Sequence, residues 1–414
     1  MTLDGKPALG IGMVGYSFMG VAHSHAWRDA SSFFDVALVP RLRVLAGRNE
    51  QAARDVASRF GWESVVPDWQ SLVHRTDVDL VDVCTPGDTH AEIAIAALEA
   101  GKHVLCEKPL ANTVAEAEAM TRAADRAAES GVRSMVGFTY RRVPAIALAR
   151  RLVADGTVGE IRHVRAQYLQ DWASDPDVPL NWRLQKERAG SGALGDIGAH
   201  IVDLTQFITG ERITGVSAML DTFVTERPVA EGDSVSTPNS LSGAADAPSD
   251  KLSPASAATS ASAGRGQVTV DDAATFLARF TGGAMATFEA TRFASGRKNS
   301  IRIEINGSAG SLAFDFEDMN VLHVHDHTED PARGGFRRVL VTESDHPYLA
   351  AWWPPGHLLG YEHSFTHQAV DLVTAIADGA DPWPSFADGL AVQRVLAAVE
   401  ASAAGKSVWT EVPT

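Results

Sequence analysis

A lysine at a strand tip and a carboxylate–imidazole pair on one helix are the residues whose types and spacing could handle a proton. Glu107-Lys108-Pro109 follows directly on an apolar run at 103–106, and the proline restricts the backbone that aims the Lys108 ammonium. Lysine supplies only 7 of the 36 cations, so one placed at a strand tip stands out. Further along, Gly190-Ser191-Gly192-Ala193-Leu194-Gly195-Asp196-Ile197-Gly198-Ala199-His200 is a glycine-rich loop running into a helix. Asp196 and His200 are four residues apart, which on a helix puts both on one face. A carboxylate beside an imidazole stabilises the imidazolium, so the histidine can act as a base near neutral pH. Taken singly, the pair reads equally as a helix-start aspartate with a hydrogen-bonded histidine, and the lysine as a surface residue.

A second constellation concerns phosphates. Gly10-x-Gly12-x-x-Gly15 matches a dinucleotide fingerprint letter by letter, but Gly10 and Gly12 fall inside the first strand. The turn has to come at the strand's end, where a helix N-terminus can face a pyrophosphate. That places it at Gly15-Tyr16-Ser17-Phe18-Met19-Gly20, with Ser17 in the position of the middle glycine. The second strand ends in Gly47-Arg48-Asn49, with no carboxylate for a ribose 2′-hydroxyl and an arginine able to pair with a 2′-phosphate. Either NAD or NADP is compatible, with a lean to NADP. The alternatives for Arg48 are a solvated helix-start residue or a guanidinium stacked on adenine. Cys84-Thr85-Pro86-Gly87-Asp88-Thr89-His90 ends another strand and, like Lys108, lies at a C-terminal strand end, where open α/β sheets bind ligands.

Three features are weaker. His323-x-His325-x-His327 has the period of a strand, and Glu362-His363-x-x-x-His367 lacks the order a zincin helix requires, so no metal is expected. The loop from Trp352-Trp353-Pro354-Pro355-Gly356-His357 to Tyr361 offers aromatic faces suited either to a sugar ring or to packing.

The elements that position these residues follow from periodicity. Apolar runs at 8–14, 42–47, 80–84, 103–106 and 132–137 alternate with helical stretches, and Gly61, Gly101 and Gly131 each close one. Strands spaced in this way form βαβ units and a parallel sheet. After Tyr140 the strand-like runs come in succession, at 161–169, 214–224, 267–280, 284–290, 299–306 and 310–314, with Gly- and Asn-rich turns between several of them and helices flanking. The expected fold class is α/β: a Rossmann domain at 1–138, then an α+β domain at 139–414 with a large, mostly antiparallel open sheet. Residues 230–266 contain 27 Ala, Ser, Gly, Pro or Thr out of 37 and read as a low-complexity insertion, or as a lid or docking segment.

Composition bounds the rest. The chain has 414 residues, is 45% hydrophobic and carries a net charge of −16. An acidic chain without a basic block is a poor partner for nucleic acid or anionic membranes. It shows neither a signal-peptide pattern nor a membrane-spanning run, and two cysteines in buried-looking strands suit a reducing, cytoplasmic setting.

The ordered series G-Y-S-F-M-G, C-T-P-G-D-T-H, E-K-P, G-F-T-Y-R-R, W-R and G-S-G-A-L-G-D-I-G-A-H resembles the glucose–fructose oxidoreductase/inositol dehydrogenase (Gfo/Idh/MocA) family. The resemblance implies an NAD(P)-dependent oxidoreductase moving a hydride between the nicotinamide and a secondary alcohol or ketone of a sugar, cyclitol or related polyol. It also implies a homodimer or homotetramer. Carried over by position, His200 takes the hydroxyl proton, Lys108 hydrogen-bonds the same oxygen and Asp196 orients and tunes them. Gly15, Ser17, Phe18, Met19, Gly20, Gly47, Arg48, Thr85, Pro86, His90, Glu107 and Lys108 would line the cofactor. Tyr140, Trp182, Arg183, His357 and Tyr361 would face the substrate. The alternatives are a redox-neutral glycoside-processing enzyme that retains its NAD, or a dinucleotide sensor without catalysis.

Overall fold

A computed structural model describes residues 5–229 and 264–413, so nearly all of the insertion expected at 230–266 lies outside the described residues. The first sheet is built from β1 (Ala8–Val14), β2 (Val39–Ala46), β3 (Ser64–Val66), β4 (Leu80–Val83), β5 (His103–Cys106) and β6 (Ser134–Val136). All its pairings are parallel and the order is β3-β2-β1-β4-β5-β6. The central strands are buried almost throughout and apolar except for Asp82, because helices cover both faces. Those helices are α1 (Phe18–Phe33), α2 (Glu50–Phe60), α3 (Trp69–Val73), α4 (His90–Glu99) and α5 (Val114–Ala128). Their ends are chemically marked. Asn49 caps α2 by accepting from the Ala52 amide at 3.1 Å, and Gly61 closes it at φ +83. Thr113 and Glu116 form a capping box on α5. The strand order reverses between β1 and β4, and that reversal opens the crevice in which a ligand sits.

After α6 (Pro144–Ala154) and β7 (Ile161–Leu169), the short α7 (Lys186–Ala189) and α8 (Ala199–Thr209) lead to β8 (Ile213–Asp221). A two-stranded ribbon, β9 (Glu226–Pro228) and β10 (Arg265–Gln267), flanks the undescribed segment. Then come β11 (Ala273–Phe280), β12 (Met285–Thr291), β13 (Ser300–Gly307), β14 (Gly310–Asp315), β15 (Val321–Asp326) and β16 (Arg337–Leu340). Two helices, α9 (Tyr361–Asp378) and α10 (Phe386–Ala404), precede the terminal β17 (Thr410–Glu411).

The large sheet has the order β16-β15-β14-β13-β7-β12-β11-β8-β17, antiparallel throughout except between β7 and β12. Alternation along β11 sends Ala274, Phe276, Ala278 and Phe280 into the core and the residues between them outward. Phe276 stacks on Phe288 with centroids 4.5 Å apart, and each such buried ring contributes about 1.5–3 kcal/mol. Helix α9 returns to the first sheet: Phe365, Leu372 and Val373 are buried in one cluster with Met13 and Trp27. The short strands β3 and β16 were not among the expected runs, because one has three residues and the other opens on two arginines, whereas the strand period of His323 and His325 falls in β15.

Candidate active site

The nucleotide turn follows β1 as expected. Gly15 sits at φ +104, and a Cβ there would lie 2.6 Å from the Cys84 carbonyl oxygen. A Cβ on Gly20 would run into the Gly15 carbonyl. The backbone therefore turns tightly into α1, whose first turn carries no acidic residue, and its amides face the crevice beside β4. This cradle fits a dinucleotide pyrophosphate. Phe18 is exposed at the crevice edge and stacks on Tyr361 at 6.2 Å, whereas Met19 sends its side chain into the core below. At the tip of β2, Gly47 lies under the Tyr16 ring, where a Cβ would clash. Arg48 is exposed there, and Asn49 is engaged as the α2 cap.

Four expected cofactor contacts have other partners. His90 is buried, with Nδ1 3.0 Å from the Pro109 carbonyl and Nε2 2.8 Å from the Thr85 carbonyl. It braces the β4 and β5 tips against each other, since neither ring nitrogen turns to the crevice. Thr85 takes the Thr89 hydroxyl at 2.8 Å, and the Pro86 carbonyl takes the Thr89 amide at 3.0 Å. Glu107 also points inward. Its Oε1 is 3.0 Å from His23 Nε2, and its Oε2 accepts from the Lys108 amide at 3.3 Å. His23 in turn lies 2.9 Å from Asp82, which also accepts from Trp27 Nε1 at 2.7 Å. Burial is the largest single influence and lowers the His23 pKa, but the charge and hydrogen bonds of Asp82 and Cys84 together outweigh it and raise the pKa well above its usual value. Among the described residues, His23, Asp82 and Cys84 are the one group near enough to share a metal ion, and the Asp82 oxygens already accept from all three of His23, Trp27 and Cys84.

The three residues expected to handle a proton converge where β5 meets the start of α8. The Lys108 ammonium donates to the Asp196 main-chain carbonyl at 2.7 Å and lies 3.5 Å from its carboxylate. Asp196 sits in a single π-helical turn, Leu194–Gly198, that runs into α8 and His200. The wider π turn replaces the regular helical spacing read from the sequence. No side-chain hydrogen bond joins Asp196 to His200 among the described residues, and the two side chains couple through charge. Burial would raise the Asp196 pKa, but Lys108, Arg183, Arg292 and His200 bring it down to about 2. His200 is shifted well below its usual value by burial and by the Lys108 cation, against the pull of Asp196. It is a neutral imidazole at pH 7, a proton acceptor and not the imidazolium that close pairing with Asp196 would have favoured. Its ring is walled by Tyr140 at 4.7 Å and Tyr168 at 5.8 Å.

Sequence reasoning missed the groups that hold the π turn. Asp271, just ahead of β11, accepts from the Gly192 and Leu194 amides at 2.7 and 2.8 Å. A Cβ on Gly192 would overlap the Asp271 carbonyl, which accounts for glycine in the loop. The fully buried Arg292 donates to that carbonyl at 3.0 Å and lies 3.8 Å from the Asp196 carboxylate. Adjacent acids at Asp271-Asp272 opening an apolar strand were the available signal. Arg183 stacks over Trp182 at 4.4 Å and acts on Asp196, so both come near the centre. Tyr361 packs against Tyr140 at 6.2 Å. His357 is exposed and lies 2.8 Å from the Pro354 carbonyl of its own loop, and among the described residues no hydrogen bond or ring contact joins it to Lys108, Asp196 or His200. Trp352 packs on Phe33 and Phe34 and donates to His367 at 2.7 Å, so this ring is a packing element against the end of α1.

A parallel sheet with a pyrophosphate cradle at its switch point, and a Lys–Asp–His cluster beside it, define a nicotinamide-dependent oxidoreductase acting on CH–OH groups. Two family models match the chain: the oxidoreductase family with NAD-binding Rossmann fold over residues 9–138, and the GFO/IDH/MocA C-terminal domain over residues 146–313. The chain belongs to the Gfo/Idh/MocA family. A levoglucosan dehydrogenase of Pseudarthrobacter phenanthrenivorans is 42% identical over 409 residues, 98% of either chain. An inositol 2-dehydrogenase of Rhizobium meliloti is 25% identical over 95% of this chain and 97% of that one. Among solved structures, an oxidoreductase domain protein from Kribbella flavida is 66% identical with a TM-score of 0.89, covering 99% of this chain and 100% of that one. A levoglucosan dehydrogenase in complex with NADH and levoglucosan is 40% identical with a TM-score of 0.87, covering 98% and 100%.

Proposed function

We propose that this chain oxidises a secondary hydroxyl of a cyclic sugar, with 1,6-anhydrohexoses of the levoglucosan kind as the first substrates to try. The observation that carries this reading is the Lys108 ammonium held on the Asp196 carbonyl, four residues ahead of the His200 imidazole, whose pKa burial and that cation shift well below its usual value. A bound nicotinamide supplies the hydride acceptor. Lys108 donates a hydrogen bond to the reacting oxygen and steadies the negative charge that grows on it. His200 takes the hydroxyl proton, and the Asp196 carboxylate balances the charge on both cations as that proton arrives. Lys108 is located by the Asp196 carbonyl, and the π turn that carries this carbonyl is held by Asp271 and Arg292. Support for the sugar comes from the levoglucosan dehydrogenase that matches along its whole length. Spectrophotometric assays of levoglucosan, aldoses and inositols with NAD and with NADP test the reading. Turnover of none of them would sink it.

For the cofactor, the exposed Arg48 and the absence of a carboxylate at the β2 tip favour NADP. For assembly, the open face of the large sheet carries the exposed Met219, Leu277 and Met285, a surface suited to a second copy of the chain. Light scattering that returned the monomer mass at assay concentration would refute the dimer or tetramer.

A further inference from the structure

Beside His200 runs a chain of hydrogen bonds that the proton-transfer groups do not use. The Tyr140 and Tyr168 hydroxyls lie 3.0 Å apart. The Tyr168 hydroxyl donates to Asn299 Oδ1 at 2.6 Å, and Gln170 Nε2 donates to the same oxygen at 2.9 Å. Trp172 Nε1 donates to Gln170 Oε1 at 3.0 Å. Every orientation in this chain is determined. Trp172 is a donor only, so Gln170 must present its oxygen there and its amino group to Asn299. Asn299 Oδ1 then takes two donors, so the Asn299 amino group, itself a pair of donors, faces the other way. Because Tyr168 gives its one proton to Asn299, the Tyr140 hydroxyl must donate to Tyr168, which makes the Tyr140 oxygen an acceptor, with the Tyr361 hydroxyl and the Asn299 amide as its neighbours.

The placement of the chain matters as much as its direction. The Tyr140 and Tyr168 rings are two walls of the His200 site, and the Tyr140 hydroxyl also neighbours the Asn299 amide. Asn299 is partly exposed, while both tyrosines are buried. It stands immediately before β13, at the same sheet end as the last residues of β7 and β12, which is the end that carries Arg292 and meets the π turn. An oriented acceptor and a pair of oriented donors thus lie along the two tyrosines that wall the His200 imidazole, the Asn299 amide being held by Tyr168 and Gln170. A buried site built to hydrogen-bond a hydroxyl rejects an analogue lacking it far more strongly than an apolar pocket rejects a change of size.

We propose that Asn299 is a specificity-determining residue: its amino group, with the Tyr140 oxygen, binds a ring hydroxyl of the substrate other than the one that reacts, and so selects cyclic polyols whose hydroxyls flank the oxidised carbon. The inference rests on the sugar or cyclitol reading above. Gln170 and Tyr168 are positioning residues that hold the amide.

The test uses the full-length enzyme with the sugar or cyclitol that the wild type oxidises best, and with its monodeoxy analogues. For the wild type, one analogue should show a KM at least about tenfold above the parent. In Asn299→Ala the parent should lose about as much, and that same analogue should lose little more, since the partner of the missing hydroxyl is already gone. Cofactor affinity should stay at the wild-type value, while the melting temperature of Asn299→Ala should fall by a few degrees because the Tyr168 and Gln170 donors lose their acceptor. Asn299→Asp retains the acceptor for Tyr168 and Gln170 but removes the donors. It should behave like Asn299→Ala, whereas a residue that merely pins Tyr168 would keep wild-type KM in this variant. Wild-type KM in both variants, or equal further losses for every analogue in Asn299→Ala, would overturn the assignment. Failure of the wild type on every sugar and cyclitol would instead overturn the reading beneath it.

Discussion

Lys108 reaches Asp196 through the main chain: its ammonium donates to the Asp196 carbonyl at 2.7 Å, while the carboxylate stands further off at 3.5 Å. The lysine's position therefore does not depend on the carboxyl group. This separates the three polar residues. Lys108→Ala and His200→Ala each remove a group that handles the reacting oxygen or its proton, and should cost on the order of 10²–10⁴ in kcat. Asp196→Asn keeps the carbonyl contact and should cost distinctly less than either. Cofactor affinity, followed by fluorescence titration, should hold in all three. Asp196→Asn falling below His200→Ala would show that the carboxylate takes part directly.

The pH profile follows from the His200 environment. Burial and the Lys108 cation push its pKa well below 6.5. The base is thus already deprotonated throughout the neutral range, and kcat/KM should stay level from pH 8 down past 6.5 before its acid limb begins. Removing the cation in Lys108→Met takes away one of the two lowering influences, so the residual activity should show that limb displaced upward in pH. A wild-type limb centred at 7 or above, or one that does not move in the variant, would exclude His200 as the proton acceptor.

Much of this site was legible because its groups lie at strand ends. The runs at 80–84 and 103–106 locate the tips of β4 and β5 to within a residue, and Lys108 follows from them. Gly10 and Gly12 were read as strand residues, and both lie within β1. What could not be read was the direction of a side chain. Glu107 and Lys108 are adjacent at one tip, yet one turns inward to His23 and the other toward Asp196. His90 carries the ordinary signature of a crevice ligand, but two carbonyls 2.8 and 3.0 Å away occupy its ring. The π turn was equally hidden, since its cause lies about 75 residues away in Asp271 and in the arginine beyond it.

Asp271 is accordingly a strong candidate for an effect at a distance. Its carboxylate holds two amides of the loop that sets Asp196 in place. Asp271→Ala leaves those buried donors unpaired, at a cost of about 1–3 kcal/mol in stability. It should also lower kcat more than it raises KM, because what shifts is the catalytic geometry. Denaturant unfolding and steady-state kinetics on the same preparation check both. Full stability together with full activity would mean that the loop holds its shape without Asp271.

The segment flanked by β9 and β10 should be dispensable. Val229 and Gly264 are joined by a backbone hydrogen bond of 2.9 Å, so the ends are already at hairpin distance. Replacing residues 231–262 by Asn-Gly should leave the melting temperature within a few degrees, since closure entropy varies only slowly with loop length. Calorimetry decides, and a loss of about ten degrees would mean that the removed residues make stabilising contacts.

Cofactor choice turns on one exposed arginine. At the β2 tip Asn49 is engaged as a helix cap and Gly47 lies under Tyr16, which leaves Arg48 to meet whatever the ribose carries. No carboxylate stands at that tip to repel a 2′-phosphate. A charge-assisted hydrogen bond contributes about 1.5–3 kcal/mol, or on the order of ten- to a hundredfold in affinity. NADPH should therefore bind more tightly than NADH, and Arg48→Ala should weaken NADPH by about that factor while sparing NADH. If Arg48 instead stacks on the adenine, both cofactors should weaken together, because the ring is common to them. Parallel titrations of the two reduced cofactors against wild type and variant separate these outcomes. Unchanged affinity for both would remove Arg48 from the site.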